Sequence, residues 1–318
     1  MKDSFGREIN YLRISVTEDC NHRCVYCMPE NAVPRNWNTM KDDDIVEVVE
    51  AAASLGISKI RITGGEPLVR PGIVDLCARI HDIKGIQEVT MTTNGTRLKK
   101  MAKDLKEAGV NRINISLDTL DEKKFRQITR GGDINAVLEG MSAAFEAGMD
   151  PIKLNTVLIG GFNDDEIFKL AELTRSTPLD VRFIELMPIG DIYKFPESAY
   201  IPCSVVLEKV PELVRINDRT EKSGVTRLYK LNNGRGRVGL ISPLSCDFCS
   251  SCNRLRLTAD GCLKPCLHSF EEIHIKGLHG SELQWALKLA IAHKPKAHVA
   301  LSATERSQSR RDMNRIGG

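Results

Sequence analysis

Short strand-like runs alternate with helical stretches from about residue 11 to residue 187, and this alternation limits the fold to one class. The strand candidates are Leu12–Thr17, Lys59–Thr63, Glu88–Thr93, Arg112–Asp118, Pro151–Leu158 and Val181–Met187. Helical periodicity runs through Lys41–Leu55, Ile73–Ile83, Leu98–Ala108, Val137–Ala147 and Asp164–Ser176. Strand followed by helix followed by strand implies a parallel sheet with helices packed on it, the α/β class.

Parallel strands covered on both faces read as continuous apolar runs. These do not. Leu12, Ile14 and Val16 alternate with Arg13, Ser15 and Thr17, Ile60 and Ile62 with Arg61 and Thr63, and Ile113 and Ile115 with Asn114 and Ser116. Ile152 and Leu154 likewise alternate with Lys153 and Asn155. Side chains on a strand change face at every residue, so the apolar set packs on the helices. Arg13, Arg61, Thr92, Ser116, Lys153 and Asn155 then point to the concave side. Burying unpaired cations is costly, so that lumen is expected to hold water or an anionic ligand. An open antiparallel sheet with one wet face would alternate in the same way, but helical connections are too long for hairpins. A polar-lined parallel barrel places its site at the C-terminal ends of its strands.

The 318 residues carry a net charge of +3, too small to point to nucleic acid or a membrane surface. No run approaches the roughly 18 apolar residues of a membrane span, and no signal-peptide pattern is present, so a cytoplasmic protein is expected. Ten cysteines in a reducing compartment point to metal more than to disulfides. Six form two triplets, Cys20/Cys24/Cys27 and Cys249/Cys252/Cys266. Cys246 and Cys262 lie beside the second triplet, while Cys77 and Cys203 stand apart and read as small buried hydrophobes.

The first triplet sits in Cys20-Asn-His-Arg-Cys24-Val-Tyr-Cys27, directly after the first strand. Three thiolates are one fewer than a [4Fe–4S] cube normally takes, which leaves one iron open, the arrangement of a catalytic site. A structural zinc completed by His22 is the competing reading. Thr63-Gly64-Gly65-Glu66-Pro67 follows the second strand, and its two glycines allow the backbone to approach a ligand. With Tyr26 before the last cysteine, this ordered pair of motifs resembles the radical S-adenosylmethionine (SAM) enzymes. The resemblance implies an incomplete (βα)6 barrel of the TIM type and a [4Fe–4S] cluster whose open iron is chelated by SAM. It assigns SAM contacts to Tyr26, Gly65, Ser116 and Met187. It also implies reductive cleavage of SAM to methionine and a 5′-deoxyadenosyl radical.

The second triplet reads Cys249-Ser-Ser-Cys252-Asn-Arg254-Leu255-Arg256-Leu257, with Cys266 further on. Taken alone, a zinc site completed by Cys246, Cys262 or His268 fits it nearly as well as a cluster. With Asp3-x-x-Gly-Arg7 near the start and Gly317-Gly318 at the end, the whole chain resembles the GTP 3′,8-cyclase family (molybdenum cofactor biosynthesis protein A). That family carries out the first step of molybdenum cofactor biosynthesis. The resemblance implies a C-terminal extension carrying a second [4Fe–4S] cluster, dividing the chain into a barrel at 1–190 and an extension at 191–318. It carries GTP binding to Arg13, Arg61, Thr92, Lys153, Arg182, Arg254, Leu255 and Arg256. The implied reaction is loss of the ribose C3′ hydrogen, attack of C3′ on guanine C8, and addition of an electron and a proton. The product is 3′,8-cyclo-7,8-dihydro-GTP.

The same resemblance implies an electron donor of flavodoxin or ferredoxin type and cyclic pyranopterin monophosphate synthase downstream, and it allows a homodimer. It also carries the glycine pair of the tail into the active site, with a tail arginine left unassigned. Another radical SAM enzyme acting on a peptide, or a zinc-binding protein without activity, are the alternatives. The segment 191–223 has little motif content. A helix is expected over Cys203–Val210, with a strand pair after the segment at Thr226–Leu231 and Arg237–Ser242.

Overall fold

A computed structural model describes residues 1–32, 39–190, 195–216, 225–245 and 248–317. Six parallel strands follow the expected alternation: β1 (Tyr11–Ser15), β2 (Lys59–Thr63), β3 (Glu88–Thr93), β4 (Val110–Ser116), β5 (Lys153–Leu158) and β6 (Asp180–Glu185). Their helices are α1 (Asp42–Ser54), α2 (Ile73–His81), α3 (Leu98–Glu107), α4 (Glu122–Thr129), α5 (Ile134–Glu146) and α6 (Ile167–Ser176). Helix α4 was not expected from periodicity, being only two turns long. It is started by Asp121, whose carboxylate accepts from the Lys124 amide. Strands β1, β4 and β6 end about two residues before their expected limits, because the chain leaves the ladder there to build the site.

The period-two reading of the strands holds. Leu12, Ile14, Ile60, Ile62, Ile113, Ile115 and Leu154 are fully buried in the main core, together with the inner faces of the helices. Cys77 and Cys203 lie in that same core, as expected of small hydrophobes.

Beyond residue 190 the chain adds α7 (Ser204–Lys209), β7 (Val214–Ile216), β8 (Arg227–Lys230), β9 (Arg237–Ile241), β10 (Arg254–Leu257), β11 (Cys262–Lys264) and β12 (Ile273–His274). Two further helices follow, α8 (Gly280–Ala292) and α9 (Met313–Ile316). The expected helix and strand pair are present as α7, β8 and β9. Less expected is where the new strands go. Strand β9 runs parallel to β6, and β10 runs parallel to β1. The sheet order is β12-β11-β10-β1-β2-β3-β4-β5-β6-β9-β8-β7, so strands from beyond residue 190 extend both edges of the barrel sheet. No helix of the described residues is long and apolar enough to cross a membrane.

The tail returns to the barrel mouth. Arg311 is buried and donates to both oxygens of Asp260 at 2.9 Å, to both oxygens of Glu272 at 2.7 and 2.6 Å, and to the Cys262 sulfur at 3.3 Å. Cys262 also lies 3.2 Å from His274 Nδ1, so its sulfur is engaged in this anchor. Cys246 lies outside the described residues. Past the anchor, Arg315 donates to Glu18 at 3.1 Å, and the Gly317 carbonyl accepts from Arg256 at 2.7 Å. A Cβ at Gly317 would fall 2.4 Å from Thr63 Oγ1, and its φ is +77°, so both space and backbone demand glycine. Gly318 lies outside the described residues.

Replacing Arg311 by Met takes one cation from two half-buried carboxylates, Asp260 and Glu272, of which Glu272 keeps Lys264 at 3.0 Å, a loss of about 1 to 3 kcal/mol. We expect Arg311→Met to make the tail cleavable by trypsin at Arg315 while the barrel resists. A tail as protected as in the parent protein would contradict the anchoring role.

Candidate active site

A cavity of about 570 Å³ occupies the barrel lumen and is lined by all six triplet cysteines, none of them in a disulfide. The two triplets lie toward opposite ends of the strands. Cys20, Cys24 and Cys27 follow the C-terminal end of β1. Cys252 precedes β10, which is parallel to β1, and Cys266 follows the antiparallel β11 back to that same end.

The first triplet rides on a loop held against the Gly-Gly turn. The Gly65 amide donates to the Thr17 carbonyl at 2.8 Å, and the Glu66 amide to the Asp19 carbonyl at 2.7 Å. A Cβ at Gly65 would lie 2.3 Å from the Asp19 carbonyl oxygen, and one at Gly64 would lie 2.7 Å from that of Thr17. The glycines are therefore required first by the cysteine loop, and the expected approach to a ligand comes through that packing. Glu66 is buried and accepts from Thr93 Oγ1 and from the amides of Leu68 and Asn94, which ties β2 to β3 beneath the loop. The Tyr26 hydroxyl donates to Asp118 at 2.7 Å, and burial pushes that carboxyl up to about 6. Tyr26, Gly65, Ser116 and Met187 all line the cavity on this side.

Burial pushes the Cys20 thiol up to about 11 and Cys27 to about 12; Glu66 adds to the rise at Cys20, and Asp312 and Asp118 at Cys27. At the other triplet, Cys252 moves the opposite way. Burial raises it, yet the Lys294 and Arg254 cations hold it below the usual thiol range. Three thiols outside any disulfide at each end of the lumen suit iron–sulfur ligation. Two of the other candidate zinc ligands have contacts of their own. His22 packs edge-on against Phe125, and His268 Nδ1 lies 3.0 Å from Ser307 Oγ.

Between the triplets the register stacks cations in rows. Arg13 stands opposite Arg61 on one side and Arg256 on the other. One row below, Tyr11 stands opposite Lys59 and Arg254. Burial and the neighbouring guanidiniums press Arg256 down to about 10 and Arg13 well below its ordinary value. Lys153 and Arg182 line the far wall, with Lys153 3.8 Å from Asp180. Thr92 Oγ1, Asn155 Oδ1 and Arg254 Nε are buried with no hydrogen-bond partner. These cations and orphaned polar atoms fit a polyanion with further polar groups, as the lumen pattern implied.

One expected substrate residue does not face this lumen. Leu255 is fully buried in the outer core opposite Leu12, because it alternates with Arg254 and Arg256. Any contact it makes with a ligand must come from its main chain. Conversely, Tyr11, Lys59 and Lys294 line the cavity without having been expected there. Tyr11 and Lys59 sit two positions before Arg13 and Arg61 on the same strand face, which is the signal that could have found them. Lys294 follows α8 and has no such pattern.

Burial alone would raise the Tyr11 phenol, but Arg61, Arg13, Arg254 and Lys59 bring it down to about 8. Above that pH the phenolate adds a negative charge among the cations, so the apparent KM of an anionic substrate is expected to rise through pH 8. Tyr11→Phe is expected to abolish that rise; an identical pH profile in the variant would contradict the assignment.

Residues 14–174 match the family model of the radical SAM superfamily, and residues 179–300 match that of Molybdenum Cofactor Synthesis C. The chain is 47% identical over 323 residues to a GTP 3′,8-cyclase of Alkaliphilus oremlandii (strain OhILAs), covering 100% of both. It is 48% identical over 321 residues to a GTP 3′,8-cyclase of Peptoclostridium acidaminophilum, covering 99% of this chain and 98% of the relative. A crystal structure of Streptococcus suis SuiB bound to S-adenosylmethionine matches at a TM-score of 0.61 and 16% identity, over 88% of this chain and 68% of that one, and shares its fold.

Proposed function

The chain belongs to the GTP 3′,8-cyclase family of radical SAM enzymes, and from that premise we propose how its residues divide the conversion of GTP into 3′,8-cyclo-7,8-dihydro-GTP. The reaction is the first step of molybdenum cofactor biosynthesis. Two [4Fe–4S] clusters and SAM, when bound, supply the one-electron reduction and the carbon radical that takes the ribose C3′ hydrogen.

Cys20, Cys24 and Cys27 hold the first cluster, and Cys249, Cys252 and Cys266 the second. Residues 1–190 thus carry the SAM half of the site, and residues 191–318 the second cluster and the tail. Tyr26, Gly65, Ser116 and Met187 bind SAM, with the Tyr26 ring fixed by its hydrogen bond to Asp118. GTP carries about four negative charges, and forked guanidiniums match phosphate oxygens bidentately. Arg13, Arg61, Arg254 and Arg256 take the triphosphate, with Lys153 and Arg182 from the facing wall. Thr92 and Asn155 offer their unpartnered oxygens to the nucleoside. The observation that carries this reading is the stack of cation rows between the two triplets. A nucleotide held there would reach the SAM side with one end and the second cluster with the other.

Ring closure joins C3′ to C8, so ribose and base must be held in one conformation away from water. The tail serves this by covering the barrel mouth. Its Gly317 carbonyl takes one hydrogen of Arg256, and the Asn314 amide donates to Cys27. For partners, we infer a flavodoxin- or ferredoxin-type donor, transfer of product to cyclic pyranopterin monophosphate synthase, and a cytoplasmic enzyme, for which the family resemblance allows a homodimer.

Arg254→Ala and Arg256→Ala each remove a charged phosphate contact, which corresponds to about tenfold or more in GTP affinity. SAM affinity is expected to stay within about twofold, since the lost groups lie in the cation rows. Unchanged GTP affinity in both variants would contradict the assignment of the triphosphate to this wall.

A further inference from the structure

We propose that Lys294 is a positioning residue of the second cluster, joining its two ligand segments and placing a buried positive charge against Cys252. Lys294 follows α8 directly and is 3% exposed. An ammonium has three hydrogens to donate. One goes to the Arg254 carbonyl at 2.8 Å, two residues past Cys252. A second goes to the Pro265 carbonyl at 3.0 Å, beside Cys266. The same ammonium lies close enough to Cys252 to favour its thiolate, and both residues line the one cavity. Lys294 makes no ion pair with a carboxylate among the described residues, so the anionic partner of this buried cation is the thiolate site itself.

The segment is held from the other side by Arg7. Its guanidinium donates to the Pro295 carbonyl at 2.6 Å, the Lys296 carbonyl at 3.1 Å and the Cys249 carbonyl at 2.7 Å, while Asp3 pairs with its Nε at 2.6 Å. Thus Lys294 reaches the backbone beside Cys252 and Cys266, and Arg7 joins the following residues 295–296 to the Cys249 carbonyl. The Asp3-x-x-Gly-Arg7 motif acquires a purpose here, as the outer clasp of the same arrangement. Hydrogen bonds to cluster sulfurs and nearby positive charge favour the reduced, more negative cluster and raise its potential. Lys294 therefore sets the second cluster's potential above the value its thiolates alone would give, an inference that rests on this triplet holding a cluster.

The test is an anaerobic redox titration of the reconstituted full chain, followed by electron paramagnetic resonance alongside iron and sulfide content. The parent protein is expected to bind about eight irons and show two reductive waves. In Lys294→Gln, which keeps amide donors and loses the charge, and in Lys294→Met, one wave moves to lower potential and the other stays. Lys294→Arg keeps the charge and is expected to stay near the parent. Waves of Lys294→Gln that overlay the parent's, or two waves moving together, would overturn the proposal. A parent protein with half that iron and a single wave would instead overturn the second-cluster reading beneath it.

Discussion

The arrangement depends on a concentration of positive charge inside the barrel. Arg13, Arg61, Arg254 and Arg256 face one another across β1, β2 and β10, with Lys59 among them. Charges in a low-dielectric lumen repel strongly and are costly to desolvate. The surrounding structure carries that cost through a continuous apolar core on the outer face of the same strands. Strand register fixes where each guanidinium stands, so the polyanion site is preorganised before any nucleotide arrives. Binding GTP then relieves repulsion already present, which favours a phosphorylated ligand over a neutral one of similar shape.

The two triplets supply the same donors in contrasting surroundings. Carboxylates of Glu66, Asp118 and Asp312 act on the first, whereas Lys294 and Arg254 act on Cys252 of the second. Cluster potential follows net charge and hydrogen bonding to sulfur as well as cluster type. Negative surroundings suit a strong reductant, as the SAM side requires. Positive surroundings suit a cluster beside an anionic substrate. The tail links both regions, since Asn314 touches Cys27 and Gly317 touches Arg256.

Much of this was legible because a buried strand leaves a simple mark. The alternation at Arg13, Arg61 and Lys153 predicted both the outer core and the charged lumen, and the cysteine spacings predicted the two thiol sites. The same rule turns Leu255 outward between Arg254 and Arg256, whereas the family motif runs through all three residues. Tyr11 lies one residue before the stretch that the apolar alternation marks as the first strand. The parallel pairing of β9 with β6 and of β10 with β1 could not be placed, since those partners lie more than fifty residues away and nothing local encodes the pairing. Lys294 and Arg311 were illegible for a related reason. Each acts through the path of the chain around it, and a lone basic residue in sequence reads as surface.

The most direct test of the account is 5′-deoxyadenosine formation by the anaerobically reconstituted enzyme with SAM and dithionite, comparing GTP, ATP and no nucleotide. A cation-lined lumen built for GTP between two clusters requires formation that depends strongly on GTP, together with cyclised product. Formation indifferent to the nucleotide, with both clusters intact, would contradict it.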